Sequence, residues 1–203
     1  RDLLEGFPLI GDIPIFLGAP KARVREPTRN EAQLRTEAHR LAPELVKQQA
    51  RAPASGDALA DQTSVYEQTM DDIALGRMSP VSDVASSSGP PFTRRFAVRQ
   101  ASSHGVSKVR CIDDFAQSLI NSTCRVSRKI KMGSVRDLCA VARSLREAHP
   151  ASDLHVLKSD FKAAYRSCPI SPRHGDLANI LFRNPVSGAV ECSRQLAMPF
   201  GAV

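Results

Sequence analysis

Asp160 ends the strand-like run Leu154 to Ser159, and Tyr165 follows it by five residues. A carboxylate at the end of a buried strand, where the chain turns away, can hold a metal ion at a sheet edge. Mg²⁺ takes oxygen ligands, one or two carboxylates together with substrate phosphates. Two such ions hold the attacking and leaving oxygens of a phosphoryl transfer. An Asp at a strand–helix junction can equally cap the helix that follows, so Asp160 reads as metal ligand or as cap. Upstream, Lys108 and Arg110 lie in a strand-like run, Lys108-Val109-Arg110-Cys111-Ile112. A guanidinium pairs bidentately with phosphate oxygens; the plainer reading is an exposed basic strand. Tyr165 is open to the reading of a core aromatic with a wet hydroxyl. Pro199-Phe200-Gly201 is open to that of an ordinary turn.

The elements that would position these residues follow from periodicity. Residues 29–52 read as a helix, with Thr28 or Asn30 as cap, Ala32, Leu34, Ala38, Leu41 and Leu45 at helical spacing, and Pro43 as a kink or split. A second helix is expected from about Asp57 to Gly76, with Leu59, Val65, Met70 and Ile73 inward and Gly76 as its stop. Residues 79–93 are rich in Ser, Pro and Gly and read as a linker or exposed loop. Phe96–Val98 and Val109–Ile112 are expected strands, joined by the polar tip 101–107. Residues 134–148 form the clearest helix. Ser134 and Asp137 make its capping box, and Val135, Leu138, Val141, Ala142 and Leu145 line one face. A strand over Leu154–Ser159 should follow. A hairpin should come next, from Leu177–Phe182 to Ala189–Leu196 through the turn at 184–188. The order β–β–α–β–α–β–β points to an α+β fold with a mostly antiparallel sheet.

Composition limits the classes. The 203 residues carry a net charge of +7, unevenly placed. Residues 1–90 hold 10 Lys and Arg against 13 Asp and Glu, whereas residues 91–150 hold 12 against 4. A basic middle segment is an electrostatic footprint for a phosphate backbone, or else a solvated face. Five cysteines, an odd number without a CxxC pair, speak for reduced thiols rather than disulfides or a zinc site. No apolar run approaches the roughly 20 residues of a membrane span. Leu9–Leu17 lacks the basic lead of a signal peptide. The expected location is cytoplasmic or nuclear, neither membrane-bound nor secreted.

Three segments, taken in order, resemble the reverse transcriptases of retrotransposon-type elements. Lys108-Val109-Arg110-Cys111-Ile112-Asp113-Asp114-Phe115, with Leu119-Ile120-Asn121 after it, is similar to the fingers segment of that family. Asp160-Phe161-Lys162-Ala163-Ala164-Tyr165 resembles its motif A, and Leu196-Ala197-Met198-Pro199-Phe200-Gly201 resembles motif B. Ala74-Leu75-Gly76-Arg77-Met78-Ser79-Pro80 looks like a weaker lead-in. The resemblance covers residues 92–203 and implies three parts. Residues 1–78 would be a largely helical N-terminal extension, 79–93 a linker, and 94–203 a partial reverse transcriptase domain of fingers and incomplete palm.

The resemblance also implies roles. The parent enzyme would be an RNA-directed DNA polymerase, joining a deoxynucleotide to a primer 3′-hydroxyl on an RNA or DNA template with two Mg²⁺ ions, or Mn²⁺ in their place. Asp160 would be a catalytic metal ligand, with the Phe161 carbonyl beside it. Arg110, with Lys108 or Arg99, would grip the triphosphate. Tyr165 would crowd the sugar 2′ position and select deoxynucleotides. Phe200 and Gly201 would begin the wall under nucleotide and template. Template–primer would lie across residues 94–146, with salt-sensitive binding. Ile112-Asp113-Asp114 is not the family's Asp-Asp box, which follows Pro-Phe-Gly. It belongs to the fingers, where Asp114 is expected to pair with a local Arg or Lys. That box would fall beyond Val203, so the chain reads as a truncated piece, inactive by itself. The alternative reading is a non-enzymatic or degenerate nucleic-acid-binding module.

Overall fold

The structure, a computed structural model, describes residues 5–13, 26–101, 108–126, 133–157 and 164–199. It is α+β. A short strand β1 (Gly11–Ile13) precedes helices α1 (Glu31–Ala50) and α2 (Gly56–Ala74). Then come β2 (Ser82–Asp83), β3 (Phe92–Gln100), β4 (Lys108–Asp113), β5 (Cys124–Val126), helix α3 (Val135–Ala148), β6 (Asn179–Arg183) and β7 (Val190–Arg194). Five strands form a mixed sheet in the order β2-β7-β6-β3-β4. β3 and β6 run parallel, and the other three pairings are antiparallel. β1 and β5 make a separate parallel pair. Among the described residues, no helix is long and apolar enough to cross a membrane.

Both long helices have strong ends. Asn30 caps α1 through a reciprocal box with Gln33, at 2.9 Å each way. α2 starts at the Ser55 cap and closes at Gly76, whose φ of +68° is open to a residue without Cβ. There the Gly76 N–H reaches the Ile73 carbonyl and the Arg77 N–H the Asp72 carbonyl, both within 2.9 Å, the bonding pattern that consumes a helix's last free carbonyls. Pro43 does not split α1. Leu34 packs in one cluster before it and Leu41, Ala42, Leu45 and Val46 in another around and after it, so tertiary contact outweighs the one missing backbone bond.

The sheet carries the core on both faces. Ile180 joins Leu9, Ile10, Leu34, Met78, Phe115, Ile120 and Leu177 on one side. Leu181, its neighbour in sequence and so on the opposite face, joins Leu45, Phe92 and Cys192. The β6–β7 turn is tied by the Asn184 carboxamide oxygen, which accepts from Val186 and Ser187 N–H groups.

Several expectations are corrected here. Residues 79–93 do not hang free. Ser82 and Asp83 pair with Cys192 and Glu191, and Asn179 takes bonds from Ser88 and to the Gly89 carbonyl at 3.0 and 2.7 Å. The inward face of α2 is polar as well as apolar: Val65, Thr69 and Asp72 are buried, whereas Leu59 is exposed. Residues 154–157 form no strand, and Leu157 is 93% exposed. Their β-propensity is only local, and a strand needs a neighbouring ladder. The apolar face of α3 (Val135, Leu138, Val141 and Leu145) is exposed as well.

One half-buried histidine yields a test of the fold. The Leu9 N–H donates to Nδ1 of His174 at 3.0 Å, which requires that nitrogen unprotonated. Burial, then the Arg173 and Arg35 charges, lower its pKa below 6.5, opposed by Glu31 and Asp176. A depressed folded-state pKa means that protons bind the unfolded chain better. The stabilisation is therefore complete above the ordinary imidazole range and is lost as pH falls through it. Urea midpoints are expected to drop between about pH 7 and about pH 5. His174→Gln, whose carboxamide oxygen can accept the same bond without titrating, should flatten that part of the decline.

Candidate nucleotide and nucleic-acid site

β3 and β4 form the hairpin expected from the strand pattern of Phe96–Val98 and Val109–Ile112, with Arg95 opposite Asp113, Val98 opposite Arg110 and Gln100 opposite Lys108. Strand alternation divides its residues between two faces. Arg95, Arg99, Cys111 and Asp113 face α2, where they meet Thr69, Asp61 and the Val65 carbonyl. Lys108, Arg110 and Ile112 share the other face with Phe96, Val98 and Gln100. Lys108 and Arg110 are exposed there, and Phe96 and Val98 are 36% and 41% exposed. Arg110 Nε donates to the Gln100 carboxamide oxygen. The open face thus combines two cations with apolar surface, a composition that suits phosphate and base together. Arg99, offered as a further phosphate ligand, instead pairs with both carboxylate oxygens of Asp61 at 2.9 and 3.0 Å.

The α2-facing side holds a buried polar cluster. Arg95 and Asp113 are fully enclosed, joined by two hydrogen bonds, Nε to Oδ1 at 2.7 Å and Nη2 to Oδ2 at 3.1 Å. Arg95 Nη1 also donates to the Thr69 hydroxyl at 3.0 Å and lies 3.7 Å from Asp72. Burial alone would lower the Arg95 pKa, but the charge and hydrogen bonds of Asp113 raise it, so the guanidinium stays protonated. Gln195 Nε2 donates to Asp113 at 3.1 Å, while its Oε1 accepts from Arg166 Nη1 at 2.8 Å. Arg166 Nη2 sits 3.3 Å from Asp72. Burial, then the Arg95 charge, lower the Arg166 pKa, opposed by Asp72 and Asp113. Burial pushes the neighbouring Cys111 thiol up to about 11, so it is a packing group rather than a nucleophile.

The expected partner for a local cation is therefore Asp113 rather than Asp114. Asp113 stands in register with Arg95 on the enclosed face, whereas Asp114 lies just past the strand and accepts the Gln117 N–H at 2.9 Å. Sequence reasoning did not single out Arg95, Gln195, Arg166 or Asp72. The one available signal was the alternation of β3 against β4, which pairs an Arg with an Asp across the hairpin.

Of the residues expected to do chemistry, Lys108 and Arg110 are described and lie together. Asp160, Phe161, Phe200 and Gly201 lie outside the described residues. Tyr165 is described in its backbone, within the 3-10 turn Ala164–Ser167. The segments flanking those motifs do converge. The Ile170 N–H bonds the Leu196 carbonyl at 2.9 Å and the Met198 N–H bonds the Cys168 carbonyl at 2.7 Å. The chain after Tyr165 and the chain before Pro199 are thus adjacent extended strips. Arg77, in the weaker lead-in, accepts the Leu196 N–H at 2.8 Å, and Met78 bridges to Gln195. Among the described residues no group of three or more His, Cys, Asp or Glu could hold a metal ion. Compared with known proteins, the chain matches no family model and no curated sequence.

Proposed function

We propose that this chain is part of a retrotransposon-type RNA-directed DNA polymerase, contributing its fingers and the first part of its palm. The reaction is attack of a primer 3′-hydroxyl on the α-phosphate of a deoxynucleotide. The observation that carries the reading is convergence. Three segments far apart in the chain meet: Gln195 and Arg166 join the Asp113 end of β4 to the turn holding Tyr165, and the strip entering Pro199 runs beside the chain after that turn. Arg110 and Lys108 are the residues for triphosphate, because they lie exposed on one strand face. Asp160 and the Phe161 carbonyl would hold Mg²⁺, which, when bound, supplies charge stabilisation at the transferring phosphate. One carboxylate cannot hold two metals, so the proposed activity belongs to an extended chain that also carries the remaining metal ligands.

The test is primer extension by that extended chain on an RNA template with Mg²⁺ and deoxynucleotides. Template-dependent incorporation is the expected result. A folded extended chain that binds template–primer with steep salt dependence but adds no nucleotide would overturn the enzyme reading. It would leave a nucleic-acid-binding module built on the basic residues of 91–150.

A further inference from the structure

The enclosed polar contacts close on themselves. Arg166 meets Asp72, Asp72 meets Arg95, Arg95 meets Asp113, Asp113 meets Gln195, and Gln195 returns to Arg166. The ring holds two cations, two carboxylates and one amide that donates on one side and accepts on the other. Its members come from five places: α2, β3, β4, the turn after Asp160, and the strip before Pro199. Buried charges of this kind contribute little net stability compared with apolar packing. What they add is geometry, because each partner has one position in which all its bonds are made.

We propose that this ring is a positioning device and that Arg166 is its output: it fixes the turn on which Tyr165 stands against the hairpin carrying Arg110, and so sets the discrimination between deoxy- and ribonucleotides. This rests on the polymerase reading above. Arg166 directly follows Tyr165 within one 3-10 turn, so the contacts that anchor Arg166 to Gln195 and Asp72 also anchor that turn. Its fork is the feature that counts, since one prong goes to Gln195 and the other to Asp72. An error of about 1 Å in a reacting geometry costs up to about a hundred-fold. A wall that excludes a single hydroxyl is comparably sensitive.

The experiment uses the extended chain in primer extension and reads the ratio of kcat/KM for a deoxynucleotide to that for the matching ribonucleotide. The fraction of folded protein cancels in this ratio, so a merely structural role does not move it. Arg166→Met is expected to lower the ratio by about ten-fold or more. Gln195→Met, which breaks one prong, should lower it less. The double variant should fall no further than Arg166→Met alone, because both act through one contact. If Arg166→Met does not fold, Arg166→Lys, which keeps the cation but loses the fork, carries the same comparison. A ratio unchanged in both single variants, with wild-type activity intact, overturns the positioning role and spares the polymerase reading. Absence of incorporation by the wild-type extended chain overturns that reading and the positioning role together.

Discussion

Asp113→Ala is expected to lower the free energy of unfolding by about 3–5 kcal/mol, the loss seen when one partner of a buried ion pair is removed. The side chain it leaves behind is Arg95, fully enclosed and still charged. Thr69 and the more distant Asp72 cannot replace two short hydrogen bonds to a carboxylate. Gln195 also loses the acceptor for its Nε2, and an unsatisfied buried donor adds about 1–3 kcal/mol of its own. Against a total stability of about 5–15 kcal/mol, such a loss can unfold a domain of this size. Urea unfolding of both proteins measures it. The paired replacement Arg95→Met with Asp113→Leu should restore most of the loss, since it removes both charges and fills the space with apolar atoms. A loss under about 1 kcal/mol for Asp113→Ala would mean that Asp72 takes over the guanidinium.

The two variants together separate stability from placement. If the paired apolar replacement folds well yet loses nucleotide discrimination, the charges are there for geometry. If it folds well and discriminates normally, the hairpin is held by packing alone.

How much of this was legible in the sequence depended on whether a signal was local. The caps at Asn30 and Ser134, the stop at Gly76 and the turn at Asn184 are written in neighbouring residues, and all appear in the fold. So does the β3–β4 hairpin, because its period-two pattern sits beside its turn. What was not legible depended on partners distant in the chain. The Ser-rich stretch 79–93 looks like a linker by composition, yet Ser82 and Asp83 meet a strand more than a hundred residues later. Leu154 to Leu157 look like a strand, yet no ladder comes to them. Asp113 and Asp114 are adjacent and chemically alike. Only the register of the hairpin decides which one is enclosed with Arg95. Gln195 has no motif at all; its role follows from being the residue at which three distant segments meet.

For the chemistry itself, Asp160→Asn in the extended chain is expected to reduce primer extension by at least about a thousand-fold. A metal's stabilisation of the transferring phosphate is worth several kcal/mol, and each 1.4 kcal/mol or so is a factor of ten. The substitution is chosen because Asp160 had a second reading, as a helix cap. Asn caps a helix about as well as Asp, so a capping role predicts unchanged stability and unchanged activity. A ligand role predicts unchanged stability and lost activity, because the neutral carboxamide is a far poorer ligand for a hard cation than a carboxylate. Thermal unfolding and primer extension on the same samples, with Mg²⁺ and then Mn²⁺, distinguish the two. Asp160→Ala adds the remaining comparison. A cap loses about 0.5–2 kcal/mol of stability on that change, whereas a metal ligand that caps nothing leaves stability unchanged. Activity retained in Asp160→Asn would therefore remove Asp160 from the metal site and, with it, the main chemical reason for reading this chain as a polymerase.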